Sequence, residues 1–302
     1  MNSQALPTTI SEYLEQLRAA LRGADPAMIQ DALYDAEEYL RSELAEQAGR
    51  SEAEVIASVA GSYGAPEEVA GIYRDTEITV NRALCAPTPL QRKSALGRFF
   101  GVIVDPRTYG ALFYMLLSLA TGIIYFTVVT TGVSLSLGLM ILIIGIPLLV
   151  LFLGLVRVLS LVEGRIVEVL LGERMPRRPL YTQRDKGWLE RIKEMFTDGR
   201  TWTAMLYFLL MLPLGIAYFT AVVTLLSTSL AFIVAPFGYF FTNGDHGMSF
   251  GEVDLLTDAP WLLPLLSVVG VVLLFATLHL ARGIGKLHGL LAKHLLVRNP
   301  VV

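Results

Sequence analysis

Residues able to do chemistry are thinly spread over this chain of 302 residues. The densest group is "TNGDHGMSFGEVDLLTD" (242–258), where Asp245, His246, Glu252 and Asp254 follow one another closely. Imidazole titrates near neutrality and carboxylates suit hard cations, so this loop is a candidate for sensing protons or a divalent ion. Its spacing fits no EF-hand loop, and a lone histidine is usually not a ligand. His279, His288 and His294 are scattered, without an i,i+4 pair. No Ser/His/Asp set, phosphate loop or Gly-rich dinucleotide turn occurs. Cys85 is the single cysteine, which excludes an intrachain disulfide and a cysteine metal site. These patterns point to a protein that is not an enzyme and needs no cofactor.

A second set of ionisable residues is Asp31, Asp35 and Glu38, spaced to share one face of a helix. Such a face is ordinarily solvated; its sharper use is to dock a basic partner protein or a basic loop of the same chain. A third set is Asp105 with Arg107 and Asp198 with Arg200, each at the start of a long apolar run. There Asp can cap the helix that follows, while Arg snorkels to lipid phosphate, so these four read as membrane-interface anchors.

The elements that carry these residues fall into two regions. Composition is 54% hydrophobic and 17% charged, and the charge is unevenly shared. Residues 1–81 hold fifteen Asp/Glu against five Lys/Arg; the remainder holds twelve against nineteen. The acidic part has helix periodicity throughout: Ile10, Tyr13, Leu14, Leu17 and Leu21; then Ile29, Leu33, Ala36, Leu40 and Leu44; then Val55, Ile56, Val59 and Tyr63. Its punctuation agrees, with Gly23 as a stop, Asp25-Pro26 as cap and first-turn proline, Ser51 to Glu54 as a capping box, and Pro66 opening a fourth helix.

Beyond a basic amphipathic linker (82–107), four apolar runs are long enough to span a bilayer: about 109–130, 134–156, a third from Trp202, and about 261–281. The charge-free "TTGVS" is expected to turn between the first two. No charged residue falls in the middle of these runs, which speaks against an ion-coupled transporter. Segment 227–241 is interrupted by Pro236 and either continues the third span or re-enters from the outside. Lys and Arg crowd the segments before the first run, between 157 and 201, and after the last, but are absent from 131–134 and 242–259. The positive-inside rule then places both termini in the cytosol of a bacterial inner membrane.

The membrane part repeats. Shifted by 93 residues, 96–137 and 189–230 agree at twenty of forty-two positions without a gap, including Arg98/Arg191, Asp105/Asp198, Arg107/Arg200 and Tyr114/Tyr207. "GIIYFT" at 122–127 returns as "GIAYFT" at 215–220. The exit "RVLSLVEGRIVEVLL" (157–171) resembles "RGIGKLHGLLAKHLL" (282–296) at an offset of 125, so the second unit carries an insertion at about 231–263. The units are about 96–176 and 189–298. Both starting on the cytosolic side, they are expected to be parallel repeats about an axis along the membrane normal. Gly122 and Gly215 suit close helix contact, and Tyr125 and Tyr218, placed near the outer interface, suit an aromatic belt. A ligand pocket lined by both tyrosines is the less favoured use.

Two resemblances follow. "ISEYLEQLRAALRG", "ALYDAEEYLRSEL" and "YGAPEEVAGIY" resemble the small helical HAAS-type signalling domain of bacterial membrane proteins, which implies a cytosolic interaction role for 1–81. "DPRTYGALFY…GIIYFT", its echo "DGRTWTAMLY…GIAYFT" and the "EGRIVEVLLGERMP" exit resemble a bacterial sensor-domain family, a duplicated four-span module (here 108–302) often placed ahead of histidine kinases. No kinase sequence follows before Val302, so a transmitter would be the acidic head or a separate protein. The combined expectation is an all-α polytopic membrane protein with a soluble helical head. It would relay an envelope, lipid or small-molecule cue to a cytosolic or membrane protein partner, with lipid as its surroundings, no nucleic acid, and room for a homo-oligomer. The competing classes are a small transporter component and a lipid-acting enzyme.

Overall fold

The structure is a computed structural model that describes residues 7–47, 49–84, 94–142, 144–176, 193, 196–242, 249–250, 253–254 and 260–297. Four helices form the head: α1 (Ile10–Ala20), α2 (Pro26–Glu46), α3 (Glu52–Ser62) and α4 (Pro66–Leu84). Their ends are set by local chemistry. Thr9 accepts from the Glu12 amide, Asp25 accepts from Ala27 with Pro26 in the first turn, and Ser51 and Glu54 close a reciprocal capping box. Gly23 sits at φ 83°, a conformation that costs a glycine nothing and stops α1. Ile10, Tyr13, Leu17, Leu21, Met28, Leu40, Val55, Ile56 and Val59 fill the head's core.

The membrane part begins with the short α5 (Ala95–Phe100) and a 3-10 turn (Gly101–Val104). Then come α6 (Pro106–Gly138), α7 (Gly145–Leu171), α8 (Gly199–Thr242) and α9 (Leu263–Leu296). Among the described residues these four helices are long and apolar enough to cross a bilayer. A two-residue antiparallel ribbon, Ser249–Phe250 with Val253–Asp254, lies between α8 and α9.

Three expectations need correction. The turn between the first two spans is not "TTGVS": α6 runs on to Gly138, and the chain reverses between there and Gly145, whose NH bonds the Leu139 carbonyl at 3.0 Å. A Cβ on Gly145 would lie 2.4 Å from the Met140 nitrogen, so glycine is needed there, whereas a Cβ on Gly132 would lie 2.1 Å from the Phe152 ring. Gly132 is thus a packing notch rather than a turn. The second span consequently lies later than expected and includes a carboxylate, Glu163. Segment 227–241 continues α8, with Pro213 and Pro236 inside the helix.

The third correction concerns the two units. Along α6, Ser118 meets Gly215, Gly122 meets Met211, and Tyr125 stacks 4.7 Å from Phe208. Partner numbers fall on α8 as they rise on α6, so the two helices meet in opposite senses. The burial clusters agree: Met115 and Leu112 pack with Tyr218, Val222 and Leu226, whereas Tyr125 and Val129 pack with Ala204, Met205 and Phe208. Positions 93 apart therefore exchange through an axis lying across the helices, not along them as expected for parallel repeats. The paired glycines permit this approach, since an added Cβ would come within 2.6 Å of the Met211 carbonyl and 2.3 Å of the Ser118 carbonyl. Backbone contact this close fixes which residues face each other, and loop charge carries no information about it.

Candidate functional site

At this crossing the four long helices converge on a buried polar centre. Glu163 on α7 is fully buried, as are Tyr114 on α6, Tyr207 on α8 and His288 on α9. Tyr114 and Tyr207 hydroxyls donate to Glu163 Oε1 at 2.6 and 2.8 Å, and Tyr125 donates to Oε2 at 2.8 Å. The same two hydroxyls lie 2.6 and 2.9 Å from His288 Nε2, and 3.3 Å from each other. Tyr218 completes the set, its hydroxyl 3.3 Å from His288 Nδ1.

Each member has a local reason for its place. Buried ionisable groups survive only when their hydrogen bonds are met, and here three phenols meet one carboxylate. Tyr125 and Tyr218 sit one turn beyond Gly122 and Gly215, whose backbone contacts bring α6 and α8 close enough for both to reach the centre. Tyr125 is only 3% exposed, so it is a core residue and not part of an aromatic belt; Tyr218 is half-buried.

The centre mirrors the sequence offsets. Tyr114 and Tyr207 are 93 apart, as are Tyr125 and Tyr218, while Glu163 and His288 are 125 apart, the offset of the two exit segments. Tyr125 serves Glu163 as Tyr218 serves His288. The matching position is acid in one half and imidazole in the other. Reading the two exits only for their likeness missed both residues; the signal was this mismatch within "RVLSLVEGRIVEVLL" and "RGIGKLHGLLAKHLL".

The expected anchors are also crossed between the halves. Asp105 caps α6 through the Arg107 amide at 3.1 Å and holds Arg282 of α9 at 3.1 Å. Asp198 caps α8 through the Arg200 amide at 3.2 Å and holds Arg157 of α7 at 3.3 Å. Arg157 and Arg282 are again 125 apart. Trp202 and Tyr109, 93 apart, each bond the carbonyl six residues earlier, at Phe196 and Ile103.

The acidic trio of the head is split up. Asp31 is buried beside Arg174, 3.9 Å away, and Arg174 also pairs with Glu77. Asp35 turns inward to accept from the Tyr73 hydroxyl at 2.9 Å, and Glu38 is exposed. Asp25, not singled out as a contact residue from sequence, holds Lys293 at 2.5 Å, and Lys293 lies 3.9 Å from Glu173. Within the head, burial drives the Tyr13 hydroxyl upward, with Tyr63 and Glu68 adding to it. Burial and then the Asp35 bond push Tyr73 upward, and burial and Asp35 do the same for Tyr63. Exposed Glu12 is lowered by bonds from Thr8.

Of the outer-loop residues, Asp245, His246 and Glu252 lie outside the described residues. Asp254 is in the small ribbon, opposite Ser249. Among the described residues no cluster of three His, Cys, Asp or Glu side chains could hold a metal ion.

Four long apolar helices around one polar centre, preceded by a small helical domain, define a helical module of membrane-protein character. The chain belongs to the family described as "Putative sensor", which matches residues 80–296. No curated protein and no solved structure matches it significantly.

Proposed function

We propose that the protein is a non-enzymatic sensor of the bacterial inner membrane, in which the buried centre responds to a cue and the HAAS-like head relays it to a protein partner. One observation carries the reading. Glu163 and His288 sit on α7 and α9, and the exits of these two helices hold the head: Arg174 to Asp31 and Glu77, Lys293 to Asp25. Any change that shifts α7 against α9 at the centre is felt eleven residues further on at Arg174 and five further on at Lys293. Arg174 and Lys293 bring the exits of α7 and α9 beside the head, and the reading of this side as cytosolic rests on the Lys/Arg-rich segments of the sequence alone. The matched halves support an origin by duplication, now with opposed long helices.

The test is hydrogen exchange of the full-length protein in lipid nanodiscs, comparing wild type with Glu163→Gln. Relay predicts faster exchange in α2, remote from the substitution. Unchanged α2 protection alongside altered α7 and α9 would remove the relay.

A small transporter component is the second reading, and Glu163 favours it, because an ionisable group within a span often marks an ion path. Flux through purified protein in liposomes, lost in Glu163→Gln, would select transport.

A further inference from the structure

Hydrogen-bond arithmetic at the centre leads past a general cue. Each phenol carries one proton. Tyr114, Tyr207 and Tyr125 stand as donors to the Glu163 carboxylate, which accepts all three. Tyr114 and Tyr207 then have only lone pairs left for His288 Nε2, so Nε2 must carry a hydrogen. That leaves Nδ1, facing the Tyr218 hydroxyl. If Nδ1 is bare, Tyr218 donates to it and the centre carries one net negative charge. If Nδ1 is protonated, it donates to Tyr218 and the centre is neutral. In both states each imidazole nitrogen keeps its phenol partners, and the two states differ by one proton.

We infer that Glu163, Tyr114, Tyr207, Tyr218 and His288 form a binding site for a single proton, so that the cue is proton activity. This deepens the proposed sensor reading and rests on it only for the output. Proton balance is simple. Hydronium gives H⁺ to His288 Nδ1 and leaves water; the Tyr218 hydroxyl rotates from donor to acceptor; no covalent bond other than N–H forms. A proton can also pass from Nε2 to a bridging phenol oxygen while that phenol gives its own to Glu163 Oε1. This converts the ion pair into a neutral pair without changing the total.

The groups that face the pair come from all four helices. Glu163 meets Tyr114 and Tyr125 of α6 and Tyr207 of α8; His288 meets Tyr114 of α6 and Tyr207 and Tyr218 of α8. Beyond the centre, Lys293 at the exit of α9 pairs with Asp25 and lies 3.9 Å from Glu173, and Lys286 of α9 is exposed. The neighbouring Arg165 and Glu168 of α7 pair with each other. Among the described residues the negative state thus has no cation hydrogen-bonded within the centre, and the added proton cancels a buried charge. That difference gives α7 and α9 two electrostatic states in place of one.

Reciprocity provides the test. In full-length protein in nanodiscs, ¹⁵N-histidine spectra follow His288 and infrared difference spectra follow the Glu163 carboxylate between about pH 4 and 9. If the two share one site, removing either moves the midpoint of the other, and by the same amount, because coupling free energy is mutual. The expected displacement is roughly one pH unit or more in both Glu163→Gln and His288→Gln. A His288 midpoint that stays put in Glu163→Gln overturns the shared-proton site, as does an imidazole that never titrates. If either variant fails to fold, Tyr218→Phe substitutes: it takes away the Nδ1 partner and must also displace the His288 midpoint. These readouts concern the centre alone, so a relay that fails in the head leaves them unaffected.

Discussion

Glu163 Oε1 and His288 Nε2 are joined by the same two phenol oxygens, those of Tyr114 and Tyr207, with all four side chains buried. Removing one end strands the rest. Glu163→Leu strips three phenols of their shared acceptor, leaving His288 Nε2 able to accept from only one of them, and should destabilise the fold by about 3 kcal/mol, the scale for breaking a buried charged set. Tyr125→Phe removes one donor and leaves Glu163 two others, so about 1 kcal/mol is expected. Unfolding in detergent, followed by circular dichroism, checks the ratio. Equal costs for both would show that the carboxylate does not organise the centre.

The opposed contact of α6 and α8 makes a prediction independent of any charge. With Cys85 replaced by serine, Tyr125→Cys with Phe208→Cys should cross-link readily, since those rings are 4.7 Å apart. Met115→Cys with Phe208→Cys, the pair 93 apart that parallel helices would bring together, should not. In the same region Gly122→Ala and Gly215→Ala force a Cβ onto a backbone carbonyl, at a cost of about 1–3 kcal/mol each. Gly283→Ala, with nothing within 4 Å, is the control.

How much of this was readable beforehand differs by element. The head was legible because its first three helices each have a cap and a stripe and Pro66 opens the fourth, and the caps at Asp25 and Ser51 need nothing distant. The four spans were legible because apolar length is a local property. The centre was not, because Glu163 and His288 look ordinary until helices from both halves meet. Span limits drawn from charge and turn residues ended α7 before Glu163, while the real turn, between Gly138 and Gly145, uses apolar residues that fit only through Gly145. The facing of α8 against α6 shows in Gly122 on Met211 and Gly215 on Ser118, contacts that neither periodicity nor loop charge encodes.

Asp105 has two roles that substitution can separate. Asp105→Asn keeps an oxygen for the Arg107 amide but loses the Arg282 pair; with the Arg282 side chain 48% exposed, that pair is worth only a few tenths of a kcal/mol. Asp105→Ala also loses the helix cap, adding about 1 kcal/mol. The same order should hold for Asp198→Asn and Asp198→Ala. Thermal midpoints of the four variants decide it. If Asn is as costly as Ala, the crossed ion pairs matter more than the caps.

The head should fail at high pH, and the sign follows from its tyrosines. Tyr13, Tyr63 and Tyr73 are all shifted upward in the folded head, first by burial and then by neighbours such as Asp35 and Glu68. A group raised on folding contributes stability that is complete below its unfolded value, about pH 10 for tyrosine, and is lost as pH climbs towards the folded value. Above about pH 10 the unfolded head therefore gives up phenolic protons that the folded head retains, and each further pH unit favours unfolding. Exchange of α1 and α4 amides in the full-length protein, corrected for the intrinsic rise with pH, should reveal opening that starts near pH 10. Tyr73→Phe should flatten that slope, since it deletes one of the three raised groups together with its bond to Asp35. A slope unchanged by Tyr73→Phe would mean that this hydroxyl ionises as freely in the folded head as in the unfolded chain, and that the Tyr73–Asp35 contact does not persist in solution.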